Sequence, residues 1–210
     1  MAKYQELADF IIKGKVAETE AYTKNLVNMG EAPLEIIHGG LIAGMSVVGE
    51  RFKAGDMFVP EVMMSARAMD TGLAIVKPLL GDTDMPSVGT ILIGTVKGDL
   101  HDIGKNLVAM IMESAGFKVI NLGVDVSSEK FVEAVKTHKP NVLGMSAMLT
   151  TTMMQMKNVI ELLNEQGLRD TVKVVIGGAP VTQKFASEIG ADGYASDAST
   201  GAELCKALLI

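Results

Sequence analysis

Apolar positions change rhythm along this chain near residue 84. Up to residue 80 they recur at intervals of three and four. Leu34, Ile37, Leu41, Met45, Val48 and Phe52 form one such stripe. Helices are expected over 6–12, 16–28, 33–52 and 60–80, with Pro33 and Pro60 suited to first turns and Gly30 to a helix end. Four helices of that kind make a small bundle. From Val88 onward short β-branched runs alternate with helical patterns. Strands are expected at 91–96, 118–122, 142–146, 172–176 and 193–195, and helices at 103–115, 128–137, 151–166, 182–189 and 199–209. Five βα units build a doubly wound, flavodoxin- or Rossmann-like parallel sheet, so the chain is expected to be α/β behind a four-helix bundle. The polar, breaker-rich run 81–87 reads as a linker between a helical domain, 1–80, and an α/β domain, 88–210.

Composition excludes several partners. Hydrophobic residues make up 48% of the 210, enough for a core in each of two domains. The net charge of −6 and the lack of a Lys/Arg cluster argue against nucleic acid and anionic membranes. No apolar run approaches the ~20 residues of a membrane span. The amino terminus lacks the pattern of a signal peptide. One cysteine, Cys205, excludes an internal disulfide, so a cytoplasmic location is expected.

The candidate chemistry is concentrated in Asp99-Leu100-His101-Asp102-Ile103-Gly104, between the first strand and its helix. Open α/β sheets bind ligands at the carboxyl ends of their strands. A neutral imidazole whose second nitrogen is held by a carboxylate is a typical metal ligand. Phosphate loops do not fit. A Walker A loop would need Gly at 99 and Ser or Thr at 106, where Asp99 and Asn106 stand, and the dinucleotide fingerprint would need Gly at 100. Two further strand ends carry Ser146 through Thr152, rich in hydroxyls, and Gly177-Gly178, where a ligand could approach the backbone. One histidine, several hydroxyls and a glycine gap suit a large, flat, mostly apolar ligand containing a metal. The plainer readings are that His101 belongs to a core or a cap, that Asp99 caps its helix, and that one of Thr150 to Thr152 caps the next. His38 reads equally as an exposed helix residue or a ligand contact, His138 as a helix end and Cys205 as core. Met63, Met64, Met153, Met154 and Met156 fit either core packing or a broad pocket. No second His or Cys stands at zinc spacing.

Gly98-Asp99-Leu100-His101-Asp102-Ile103-Gly104-Lys105-Asn106, with Ser146-x-Met148 and Gly177-Gly178, resembles the cobalamin-binding module of methionine synthase and the small corrinoid proteins. The likeness covers nearly the whole chain, because Gly49 to Pro60 resembles the helical cap that those proteins place over the cofactor. By length the chain is most similar to free-standing corrinoid proteins of methyltransferase systems for methylamines, methanol, betaines or methoxylated aromatics.

The resemblance implies a corrinoid such as cobalamin, with His101 as the axial cobalt ligand and Asp99 and Thr152 completing a proton relay. It implies that Gly98, Asp102, Ile103, Gly104 and Met148 border the cofactor. Ser146 and Thr150 would contact its nucleotide tail, beside Gly177, Gly178 and Ala198. Phe52 and Val59 match the cap side chains over the methyl-bearing face. Met148 replaces a common Leu, and His38 an acid of methionine synthase. The implied function is to carry a methyl group on cobalt from a substrate-specific methyltransferase to a second one that uses tetrahydrofolate or a thiol. A reductive activase is a further implied partner, and the chain would be a carrier subunit rather than a complete enzyme. A cobalamin-dependent sensor would carry an added DNA-binding segment. A mutase subunit would need no four-helix cap. A cobalamin storage protein would share every motif.

Overall fold

The computed structural model describes residues 2–80 and 87–209, so the expected linker lies outside the described residues except for Ser87. The chain divides into two compact units, Met1–Ser87 with Ser114–Gly116, and Val88–Glu113 with Phe117–Ile210.

The first unit is helical. Helices α1 (Ala2–Ile12) and α2 (Val16–Asn28) are followed by a rod made of α3 (Pro33–Ile36), a π-helical stretch Ile37–Ile42 and α4 (Ala43–Ala54). Helix α5 (Val59–Val76) completes the bundle. Leu7, Ile11, Leu26, Ile36, Leu41, Val48, Val62 and Val76 are among its buried apolar side chains. Pro33 and Pro60 stand in first turns, and Gly30, at φ +76°, follows the end of α2 as expected.

The rod departs from the uninterrupted α-helix expected over 33–52. Its buried positions are Ile36, Ile37, Gly40, Leu41, Gly44, Met45 and Val48, so the inward stripe repeats every four residues. At 3.6 residues per turn such a stripe drifts by about 40° per step around the helix. The wider π turns of 37–42 take up that drift and keep one face against α1. The approach is close enough that a Cβ on Gly40 would lie 2.5 Å from Leu7 Cδ2, and one on Gly44 2.8 Å from the Ala8 carbonyl oxygen. Helix α5 also ends earlier than the expected residue 80. Pro78 has no N–H to continue the ladder, and Lys77–Leu79 tighten into a 3₁₀ turn.

The second unit is a five-stranded, wholly parallel sheet in the order β2-β1-β3-β4-β5. Its strands are β1 (Thr90–Thr95), β2 (Lys118–Asn121), β3 (Val142–Ser146), β4 (Lys173–Gly177) and β5 (Gly193–Ala195). Helices α6 (Ile103–Ser114), α7 (Ser128–His138), α8 (Thr150–Glu165), α9 (Gln183–Ile189) and α10 (Ala198–Ala207) alternate with them. Residues 91–95 of β1 are buried, as expected of a strand inside a parallel sheet. Leu92, Phe131, Leu143, Met156, Leu163 and Ile176 fill the core. Gly94 leaves room for the Phe131 ring, which a Cβ there would meet at 2.8 Å.

This strand order has its switch point between β1 and β3, where consecutive connections leave on opposite sides of the sheet. Register then aligns Thr95, Ser146 and Gly177 as neighbours along the carboxyl edge. The loops after β1, β3 and β4 therefore meet at one place.

Candidate cofactor site

Asp99 lies at that switch point and is 1% exposed. Its carboxylate is saturated by four donors. Oδ1 accepts from the His101 backbone N–H (3.1 Å) and from His101 Nδ1 (2.7 Å). Oδ2 accepts from the Met148 N–H (2.7 Å) and the Thr152 hydroxyl (2.7 Å). Burial alone would raise its pKa. The bonds from Met148, Thr152 and His101 outweigh burial and hold Asp99 well below the usual carboxylate range. An ionised carboxylate only accepts, so Nδ1 of His101 must carry a ring proton, and in the neutral ring the lone pair is then on Nε2.

The imidazole itself is 56% exposed. Its main chain is held from below, where the Thr95 hydroxyl donates to the His101 carbonyl at 2.9 Å. The result is a fixed tautomer on a fixed backbone, with one basic nitrogen directed outward. That is the donor set of a single axial metal ligand. Among the described residues no group of three or more His, Cys, Asp or Glu side chains could enclose a metal ion. A metal held through this one nitrogen would take its remaining ligands from a cofactor that brings its own.

The surroundings fit such a group. Leu100 and Ile103, on either side of His101, are 72% and 82% exposed, and Met148, Leu149 and Met154 are exposed on the β3–α8 side. Apolar side chains so placed form a platform for a flat apolar ligand. Behind it the β3 and β4 ends approach closely. Gly178 has φ +122°, and a Cβ there would fall 1.9 Å from the Ala147 carbonyl oxygen. A Cβ on Gly177 would fall 2.9 Å from the Ala195 carbonyl oxygen. The two glycines leave a strip of backbone without side chains beside half-buried Ser146. Gly104 has open space where its Cβ would stand.

The residues expected from the sequence are only partly brought together. Asp99, His101, Met148 and Thr152 share hydrogen bonds, and Gly98, at φ +81°, turns the chain into Asp99. Asp102 Oδ2 accepts from Asn106 Nδ2 (3.1 Å). Ala198 is buried as the first residue of α10. Thr150 is exposed. Phe52 and Val59 belong to the helical unit, where Phe52 is half-buried and Val59 is exposed beside Phe58, itself 69% exposed. The expectation that one of Thr150 to Thr152 caps α8 is corrected. The cap residue is Leu149, whose side chain offers no acceptor, and Thr152, already inside the helix, turns its hydroxyl to Asp99. Asp99 likewise caps no helix, since α6 begins only at Ile103. Met156 is core, whereas Met63, Met64 and Met154 are exposed.

Sequence reasoning missed a buried cluster behind the loop. Lys105 is 3% exposed, and Nζ donates to Asn106 Oδ1 (2.6 Å) and Asn121 Oδ1 (2.8 Å). Burial lowers its pKa against the opposing pull of Asp102. A lysine at the start of an amphipathic helix reads as exposed, and only the Asn106 and Asn121 pairing signals otherwise.

A protein that offers one imidazole nitrogen at a sheet's switch point, within an apolar platform, belongs to the class that seats a metal-bearing macrocycle. Comparison with known proteins narrows that class. Two family profiles, each described as a B12 binding domain, match residues 89–203 and 4–77. The dimethylamine corrinoid protein of Methanosarcina barkeri is 48% identical over 98% of this chain and 96% of its own length. A corrinoid protein of Desulfitobacterium hafniense is 42% identical over 100% and 98%. The methanol:cobalamin methyltransferase complex MtaBC of M. barkeri contains a chain that superimposes with TM-score 0.90 at 32% identity, over 99% of this chain and 80% of that one. A cobalamin-binding protein of D. hafniense superimposes with TM-score 0.81 at 30% identity, over 99% of both chains. The chain belongs to the B12-binding corrinoid protein family, and its cofactor is a corrinoid.

Proposed function

We propose that the chain carries a methyl group, receiving it from a substrate-specific methyltransferase and presenting it to a second methyltransferase that uses tetrahydrofolate or a thiol. The observation that carries this reading is the Asp99–His101–Thr152 relay, which leaves Nε2 exposed and basic. A bound corrinoid supplies a cobalt centre able to accept a methyl group and give it up again. The residues supply everything else. His101 Nε2 would hold the cobalt, and when free it could take a proton, with the ionised Asp99 stabilising the resulting imidazolium through Nδ1. Thr152 and the Met148 N–H keep Asp99 ionised throughout. Gly98, Asp102, Ile103, Gly104 and Met148 would border the ring, while Ser146, Thr150, Gly177, Gly178 and Ala198 would take the nucleotide tail.

Methylamines are the donor class this reading favours, since the dimethylamine corrinoid protein of M. barkeri is 48% identical. Methanol, betaines and methoxylated aromatics are the alternatives that partner assays separate. A reductive activase belongs to the same system, and the single, buried Cys205 suits a reducing cytoplasm. No helix among the described residues is long and apolar enough to cross a membrane.

The test is reconstitution with hydroxocobalamin. Wild-type protein is expected to bind one equivalent with a nitrogen axial ligand, and His101→Ala to show a water-ligated spectrum. An unchanged spectrum in the variant overturns the assignment of His101. Methylation of the bound cofactor should require an added methyltransferase. A protein that binds corrinoid but is methylated by no partner in its gene neighbourhood would be a storage protein.

A further inference from the structure

Asp125 lies on the β2–α7 loop and is bound to the segment that carries the relay. It is one of two non-glycine residues with positive φ among the described residues, at +52°. Left-handed backbone is costly for most L-residues and tolerated by Asp and Asn, and where it persists the surrounding structure holds it in place. Asp125 grips the Gly98-Asp99 backbone at two points. Its Oδ1 accepts from the Gly98 N–H at 2.7 Å, and its own N–H donates to the Asp99 carbonyl at 3.0 Å. The Asp99 N–H closes a turn onto the Val96 carbonyl (3.1 Å). The strand beneath is tied to the same loop, because Thr95 accepts from the Val126 N–H and donates to the Gly123 carbonyl, each at 3.0 Å. Asp99 is thus held on both sides of its Cα before its carboxylate meets His101.

We infer that Asp125 is a positioning residue for the cobalt ligand, setting the backbone of Asp99 and through it the tautomer and direction of His101. Its hydrogen bonds go to the Gly98–Asp99 backbone, one step removed from the imidazole. The inference rests on the reading that His101 meets cobalt. Its mechanism separates two contributions that substitution can separate as well. Asp125→Asn keeps both the tolerance of positive φ and an oxygen acceptor. Asp125→Gly keeps the backbone conformation and its N–H bond to Asp99 but removes the acceptor for Gly98. Asp125→Ala removes the acceptor and strains the backbone.

The full-length chain and these three variants would be examined without cofactor by ¹⁵N NMR of the His101 ring, and after loading with cob(II)alamin by electron paramagnetic resonance. Wild type is expected to show protonated Nδ1, and nitrogen splitting of the cobalt signal. Asp125→Asn should match it within about twofold in hydroxocobalamin affinity. Asp125→Gly should bind about tenfold more weakly, the scale of loss when a ligand's outer partners are removed. It should also show mixed ring tautomers and reduced nitrogen splitting, with Asp125→Ala further along the same series. If Gly and Ala variants keep the wild-type ring and cobalt spectra below their melting temperatures, Asp125 supports stability only and the inference is overturned. If Asp125→Gly equals wild type while Ala does not, backbone conformation alone matters and the carboxylate role is refuted. Absence of nitrogen splitting in wild type would instead refute cobalt ligation by His101, while the cofactor-free ring spectra would still report on Asp125.

Discussion

Thr152→Val isolates one of the four donors that hold Asp99 ionised, and it can be measured without cofactor. The substitution keeps the branched shape of a side chain that is 7% exposed and removes its hydroxyl. The lost bond is 2.7 Å long, buried, and made to a charged acceptor. Bonds of that kind contribute about 1.5–3 kcal/mol. The Leu149 carbonyl, 3.0 Å from the same hydroxyl, is not a second full loss, because one proton cannot serve both acceptors. Some of the cost is offset by the added methyl group, so a net loss of about 2 kcal/mol is expected near pH 7, or roughly 8 °C in the melting of a unit this size. The pH dependence gives the sharper test. Asp99 has a lowered pKa in the folded protein, so its stabilisation is present above the unfolded carboxylate value of about 3.9 and is lost as pH falls towards the folded value. Thr152 acts on the ionised form. The unfolded carboxyl is common to both proteins, so the gap between wild type and Thr152→Val should be full at pH 7 and shrink only as pH falls through the lowered folded pKa of Asp99 in the variant. Urea denaturation of the α/β unit, followed by circular dichroism at several pH values, reads this directly. A gap that is absent at pH 7, or that widens as the pH falls, would refute the argument that Thr152 works through the charge of Asp99.

Two further substitutions test the packing around this site and in the helical unit. Gly178→Ala should be severe, since its Cβ would fall 1.9 Å from the Ala147 carbonyl oxygen at a φ of +122°. A loss of about 3 kcal/mol or more is expected in thermal melts, with corrinoid binding reduced in whatever protein folds. Gly40→Ala should destabilise the helical unit by about 1–3 kcal/mol through contact with Leu7 while leaving the His101 ring spectrum unchanged. A neutral Gly40→Ala would mean that the π stretch yields without cost.

Much of this protein was legible in its sequence because the relevant physics is local. Apolar repeats of three and four distinguished the bundle from the sheet, and β-branched runs located all five strands to within a residue or so. Asp99 and His101 are two residues apart, so their pairing could be read from spacing alone. Other features required the tertiary structure. Spacing and periodicity do not distinguish Thr150, Thr151 and Thr152; the family resemblance pointed to Thr152, and the adjacency of β1 and β3 supplies the physical reason by bringing it 2.7 Å from a carboxylate 53 residues away. Asp125 gives no sign of its role, because a backbone conformation stabilised by a distant loop leaves no periodic pattern. The π stretch of 37–42 was hidden for a related reason, since a stripe with steps of four still reads as helical until α1 is packed against it. Sequence by itself determined the elements and the chemical groups, which depend on neighbours a few residues apart. The strand order decided which of those groups share a carboxylate, because charge and hydrogen bonding act across a few ångströms of space whatever the distance along the chain.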